Sequence, residues 1–113
     1  MNAIQPPLID FEPITQPNVS REATIQERFE AFHRTNPQVY AALRGLALQM
    51  LGNGVRQYGI KGLFEILRWQ YALQTKGEPF KLCNDYTSRY ARLLVKLNPE
   101  LDGFFELRGL RNE

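Results

Sequence analysis

Tyr58-Gly-Ile-Lys-Gly-Leu-Phe-Glu-Ile-Leu-Arg-Trp-Gln-Tyr-Ala-Leu73 is the stretch whose reading decides the fold. At about 100° per residue, Ile60, Leu63, Phe64, Leu67 and Tyr71 share one face of a helix, while Gly62, Ile66, Trp69 and Leu73 share the opposite one. A helix apolar on both sides is expected at the centre of a domain, sandwiched between other elements. On that expectation Leu67→Asp and Trp69→Asp should each unfold the chain, by burying an unpaired charge. Between the two faces lie Lys61, Glu65 and Arg68, spaced so that Glu65 can bridge both cations. A solvated row of this kind contributes only tenths of a kcal/mol per pair. Held beside Trp69, the glutamate and arginine are alternatively a candidate piece of a site.

Upstream, Thr24-Ile-Gln-Glu27 matches a helix-opening capping box, and Ile25, Phe29 and Phe32 follow at helical spacing. Pro37 disfavours helical geometry at Asn36, so this helix should stop near Thr35. Asn36-Pro37 then opens a second helix, the asparagine accepting from an orphan amide and the proline pre-set for the first turn. Val39, Leu43, Leu46 or Ala47, and Met50 form its apolar stripe, and Gly52-Asn-Gly54 ends it. Residues 1–19 hold Pro6, Pro7, Pro13 and Pro17 and read as an extended arm. Because the arm also carries Ile4, Leu8, Ile9, Phe11 and Ile14, it is expected to lie over the core. A linear motif that docks on a partner or a second copy is the alternative.

Downstream, Thr75-Lys-Gly-Glu-Pro79 is a turn. A fourth helix starts at Asn84 or Asp85, either of which can cap it, and runs to about Leu97, with Tyr86, Tyr90, Leu93, Leu94 and Leu97 facing inward. Ser88, Arg89, Arg92 and Lys96 fall on another face, with Thr87 near the N-terminal end. Asn98-Pro99 repeats the signal seen at Asn36-Pro37, and Phe104-Phe-Glu-Leu-Arg108 alternates enough to pair as a short strand with residues 80–82.

Size and composition bound the functions. A chain of 113 residues is one small domain, residues 20–113, behind its arm, and 43% hydrophobic residues make it globular. The net charge of +2 is too small to imply a nucleic-acid partner by itself. Its distribution is uneven: residues 55–97 hold Arg56, Lys61, Arg68, Lys76, Lys81, Arg89, Arg92 and Lys96 against Glu65, Glu78 and Asp85. The arm and the C-terminus are acidic. Cys83, the only cysteine, is read as a small half-buried apolar residue, and its being alone suits a reducing compartment. No apolar run reaches the roughly 18 to 20 residues of a membrane span. A cytoplasmic protein with no membrane contact is expected.

Catalysis needs convergent groups, and few candidates exist. His33 is the sole histidine, no metal-ligand spacing surrounds it, and neither Gly52-Asn-Gly54 nor Gly59-Ile-Lys-Gly62 has the spacing of a phosphate-cradling loop. No catalytic, cofactor-binding or metal-binding residue is assigned, and an enzyme is not expected. The remaining signal is the basic face of the fourth helix. A helix pair whose second member carries hydroxyls and arginines is how a helix-turn-helix protein enters a major groove. The connection from Gln74 to Asn84 is longer than that motif's short turn, so a winged or divergent version would be needed.

Phe29-Glu-Ala-Phe-His-Arg-Thr-Asn-Pro-Gln-Val-Tyr40, Tyr58 to Trp69, and Asn84-Asp-Tyr-Thr-Ser-Arg-Tyr-Ala-Arg92 together resemble a group of small phage and prophage proteins of about this length. The resemblance covers residues 25–111. It implies a viral or mobile-element origin, with occasional helix-turn-helix labels and no established activity, so no functional residue carries over.

The expected fold is mainly α: a compact bundle of four to five helices around a central helix at about 60–74, with room for a two-stranded β element pairing 80–82 with 104–108. The expected function is a small phage-type DNA-binding or regulatory protein in the host cytoplasm, using Lys81, Thr87, Ser88, Arg89, Arg92 and Lys96. The alternative is a protein-interaction module that binds and modulates a host enzyme without nucleic-acid contact. A homodimer is the third possibility for a partner.

Overall fold

A computed structural model describes residues 14–74 and 82–106. They form four α-helices: α1 (Ile25–Thr35), α2 (Pro37–Gly52), α3 (Ile60–Gln74) and α4 (Thr87–Leu97). One-turn 3-10 helices stand at Asn84–Tyr86, leading into α4, and at Pro99–Leu101, after it. The capping box that opens α1 is complete: the Glu27 amide donates to Thr24 Oγ1 at 3.1 Å and the Thr24 amide to Glu27 Oε1 at 2.8 Å. At the end of α2 the amides of Gly54 and Val55 donate to the carbonyls of Leu51 and Met50, a Schellman closure. This closure needs a left-handed residue, and Gly54 supplies it at φ 91°.

The two Asn-Pro steps work differently from the expected caps. Neither asparagine caps the helix that follows it. Each is buried and closes the helix before it: Asn36 Nδ2 donates to the Phe32 carbonyl at 3.1 Å, and Asn98 Nδ2 to that of Leu94 at 2.9 Å. The rest of each amide reaches a distant segment. Asn36 accepts from the Thr15 amide and donates to the Thr15 carbonyl, both at 2.8 Å, which pins this part of the arm to the α1–α2 junction. Ile14 packs against the core beside it. Asn98 donates to the Tyr40 hydroxyl at 2.8 Å and accepts from Arg44 Nε at 2.7 Å, joining the end of α4 to α2.

The core is one cluster. Phe29 and Phe32 of α1, Val39, Leu43, Leu46 and Ala47 of α2, Leu63, Phe64 and Leu67 of α3, and Tyr90 and Leu94 of α4 are all buried in it. Helix α3 packs against both α2 and α4 with the face expected to be buried. Its opposite face is open: Trp69 is 63% exposed and Leu73 60%. The expectation that α3 is buried on two sides is therefore corrected. Periodicity identified the second stripe, but among the described residues no helix covers it.

Three smaller expectations are also corrected. Among the described residues there is no strand: Leu82 and residues 104–106 are irregular, while 80–81 and 107–108 lie outside the described residues. Phe104 and Phe105 are both buried, with their rings edge to face at 5.0 Å, which a turn allows and an alternating strand does not. Leu97 is 56% exposed and Cys83 is also exposed.

Candidate nucleic-acid interface

The six residues expected to contact nucleic acid do not form one surface. Thr87 is buried at the start of α4, and its hydroxyl donates to the Asn84 carbonyl at 3.0 Å. Ser88 opens onto a groove of about 630 Å³ between α3 and α4, shared with Lys61, Glu65, Asp85 and Glu106. Carboxylates outnumber cations there, which disfavours phosphate. Lys81 lies outside the described residues.

Arg89, Arg92 and Lys96 do converge. With Gln26, Phe29 and Leu93 they line a second groove, of about 220 Å³, where side chains of α1 reach across to α4. Every ionisable group among these lining residues is a cation. Phe29 and Leu93 provide apolar walls that limit water access to the charges and reduce their screening. Arg89 is only 8% exposed, and its Nε donates to Gln26 Oε1 at 3.0 Å. Gln26 in turn donates to Glu30 Oε2 at 3.0 Å. An amide thus relays between the guanidinium and a carboxylate, holding the arginine at the back of the groove. Arg92 is half-buried and Lys96 exposed at its mouth.

These placements limit how α4 could meet a nucleic acid. A recognition helix presents a free ridge to the major groove. Thr87, Arg89, Tyr90, Ala91 and Leu94 of α4 are buried, so the ridge is mostly used by the fold. Arg92 and Lys96 lie on one flank of its second half and do not form a free ridge of the kind that follows a row of base edges. Gln26 was not legible as a site residue, because its role depends on a partner 63 positions away.

Within the Lys61, Glu65 and Arg68 row, it is Arg68 that is tied into the fold. Arg68 pairs with Glu65, donates to the Leu82 carbonyl at 3.0 Å and to Asn84 Oδ1 at 2.6 Å, and lies over the Phe64 ring at 5.9 Å. Asn84 is thereby occupied, which explains why it does not cap α4. This arginine fastens the chain entering α4 onto α3.

His33 stands among Phe29, Tyr40 and Tyr90, with ring centroids 5.5 to 6.1 Å away. Its Nδ1 is buried without a hydrogen-bond partner, and burial lowers its pKa. The Tyr90 hydroxyl is likewise buried without a partner, and burial raises its pKa. His33 is thus a half-buried residue packed against aromatic rings at the edge of the core. Among the described residues no group of three or more His, Cys, Asp and Glu is placed to hold a metal ion, and no helix is long and apolar enough to cross a membrane. Comparison with protein-family models, curated proteins and solved structures finds no match.

Proposed function

We propose that this chain is a small, non-catalytic nucleic-acid-binding protein that holds the phosphate backbone in the groove between α1 and α4. The observation that carries the reading is the convergence of Arg89, Arg92 and Lys96 on a single groove whose described lining holds no carboxylate. Arg92 and Lys96 make the contacts, and Arg89, anchored through Gln26, adds its field from behind. Binding of this kind is weakly dependent on sequence, because phosphate contacts position a protein without reading bases.

The test is a titration with duplex DNA across a range of salt. Neutralising about two phosphates should give a log–log salt slope near −1.8. Arg92→Gln and Lys96→Gln should each flatten the slope by about 0.9. Arg89 is a poor probe, since removing it disturbs the fold through Gln26. Absence of binding at low salt, or variants with the original slope, would overturn the reading.

A second reading, a protein-interaction module, is favoured by a different observation. Trp69 and Leu73 stand exposed one turn apart on α3, and tryptophan is prominent among residues that dominate protein interfaces.

A further inference from the structure

Along the outer side of α3 an apolar stripe runs beside the charged row of Lys61, Glu65 and Arg68. At its N-terminal end the Tyr58 ring lies against Gly62: a Cβ on that glycine would stand 2.7 Å from Tyr58 Cε2. The absence of a side chain at position 62 lets the ring extend the stripe. Tyr58, Trp69 and Leu73, with Ile66 half-buried against the core beside them, then form one apolar ridge spanning about 16 Å, at 1.5 Å per residue from position 62 to 73. Lys61, Glu65 and Arg68 stand along one edge of it, two cations against one carboxylate, with Glu65 paired to Arg68.

We propose that this ridge is the contact between two copies of the chain, related by a two-fold axis with their α3 helices packed face to face. Two observations select a second copy as the occupant. The first is charge. An isologous contact sets a surface against itself, so a strongly charged face of one sign repels its copy, whereas an apolar ridge whose edge carries little net charge does not. The cation-lined groove of α1 and α4 fails that condition and the α3 face meets it.

The second is area. With Trp69 63%, Leu73 60% and Tyr58 37% exposed, the face presents on the order of 250 to 350 Å² of apolar surface, taking about 150 to 250 Å² for a whole aromatic side chain. A stable interface buries about 800 Å² per partner, of which roughly 56 to 65% is apolar. The ridge supplies roughly half to three-quarters of that apolar share, and its flanking side chains would supply the rest with the polar part. The inference does not rest on nucleic-acid binding, although a dimer would carry two cationic grooves and bind a long polyanion with avidity.

Trp69 is the only tryptophan, so its emission reports directly on this face. The full-length chain is followed by tryptophan fluorescence and sedimentation over a wide range of concentration. The expected result is a blue shift that tracks the rise from one-chain to two-chain mass. Leu73→Glu, a change at an exposed position, should weaken self-association at least 100-fold and hold the emission at the red, solvated limit. Arg92→Gln with Lys96→Gln should associate like the unaltered chain. One-chain mass throughout overturns the proposal in either of two ways. Red emission then means that nothing covers the ridge, and blue emission means that the chain's own residues cover it. A two-chain mass that Leu73→Glu leaves intact overturns it as well, by placing the contact elsewhere.

Discussion

Replacing Asn98 by alanine removes three hydrogen bonds at once, and the structure allows the cost to be worked out group by group. The bond from Arg44 is charge-assisted, a class with a net contribution of about 1.5 to 3 kcal/mol. Arg44 is exposed, however, and water replaces the lost acceptor, so its share falls to about 0.5 kcal/mol. The Tyr40 hydroxyl is half-buried and loses its donor, at about 1 kcal/mol. The Leu94 carbonyl keeps the Asn98 backbone amide at 2.9 Å and is not orphaned, so its loss counts for about 0.5 kcal/mol. The expected total is about 2 kcal/mol, or roughly 8 to 16 °C in Tm for a domain of this size. Urea unfolding followed by far-ultraviolet circular dichroism measures it, with the denaturant slope unchanged. A double-mutant cycle with Arg44→Ala should return a coupling of about 0.5 kcal/mol. Asn98→Ala unfolding within about 0.5 kcal/mol of the original would refute the reasoning, since a buried amide with three partners would then be contributing nothing.

The companion asparagine offers a local readout: Asn36→Ala should speed hydrogen exchange at the Thr15 amide toward the rate of an unprotected chain, while amides inside α3 keep their protection. The two faces of α3 should respond oppositely to one charge. Leu67→Asp, at a fully buried position, should cost about 4 kcal/mol or more, while Trp69→Asp should change the stability of a single chain by less than about 1 kcal/mol, both by chemical denaturation. Stability should also fall with acid in a window set by His33. Its folded pKa is depressed by burial, so the unfolded chain takes up the proton first; stability is complete above about pH 6.5 and declines as pH drops from there toward the folded value. His33→Gln should flatten that part of the pH profile, and an unchanged profile would place the acid sensitivity elsewhere.

What the sequence made legible is what short-range chemistry decides. The Thr24–Glu27 box, the stop at Asn36, the closure around Gly54 and the apolar face of Leu63, Phe64 and Leu67 each depend on residues within a turn or two. The roles of Asn36 and Asn98 could not be read that way. Their first partner is four residues back, but the others stand 21, 54 and 58 residues away, so the same dipeptide that looks like a starting signal works as a clamp. The basic face of α4 was legible as a grouping and illegible as a surface. Helical spacing places Arg89 beside Arg92 and Lys96, yet only the approach of Gln26 decides that Arg89 is held inward. Likewise, no periodicity says that Phe104 and Phe105 both turn inward.

The exposed stripe on α3 shows a more general limit. Periodicity reports which side chains share a face, while burial depends on how many elements are available to cover it. Two full apolar faces on one helix need packing partners on both sides. In this fold α2 and α4 cover the face of Leu63 and Leu67, and the side chains of α1 turn toward Tyr86 and Tyr90. None of the four helices is left for Trp69 and Leu73. In a chain of this size the surface left over is large relative to the core. Among the described residues the second apolar stripe is thus left uncovered, and it is this surface that the proposed contact between copies would use. The cations of Arg89, Arg92 and Lys96 gather on the flank of α4, away from that stripe. If both proposals hold, the two faces act separately, and substitutions on one should leave the other's binding intact.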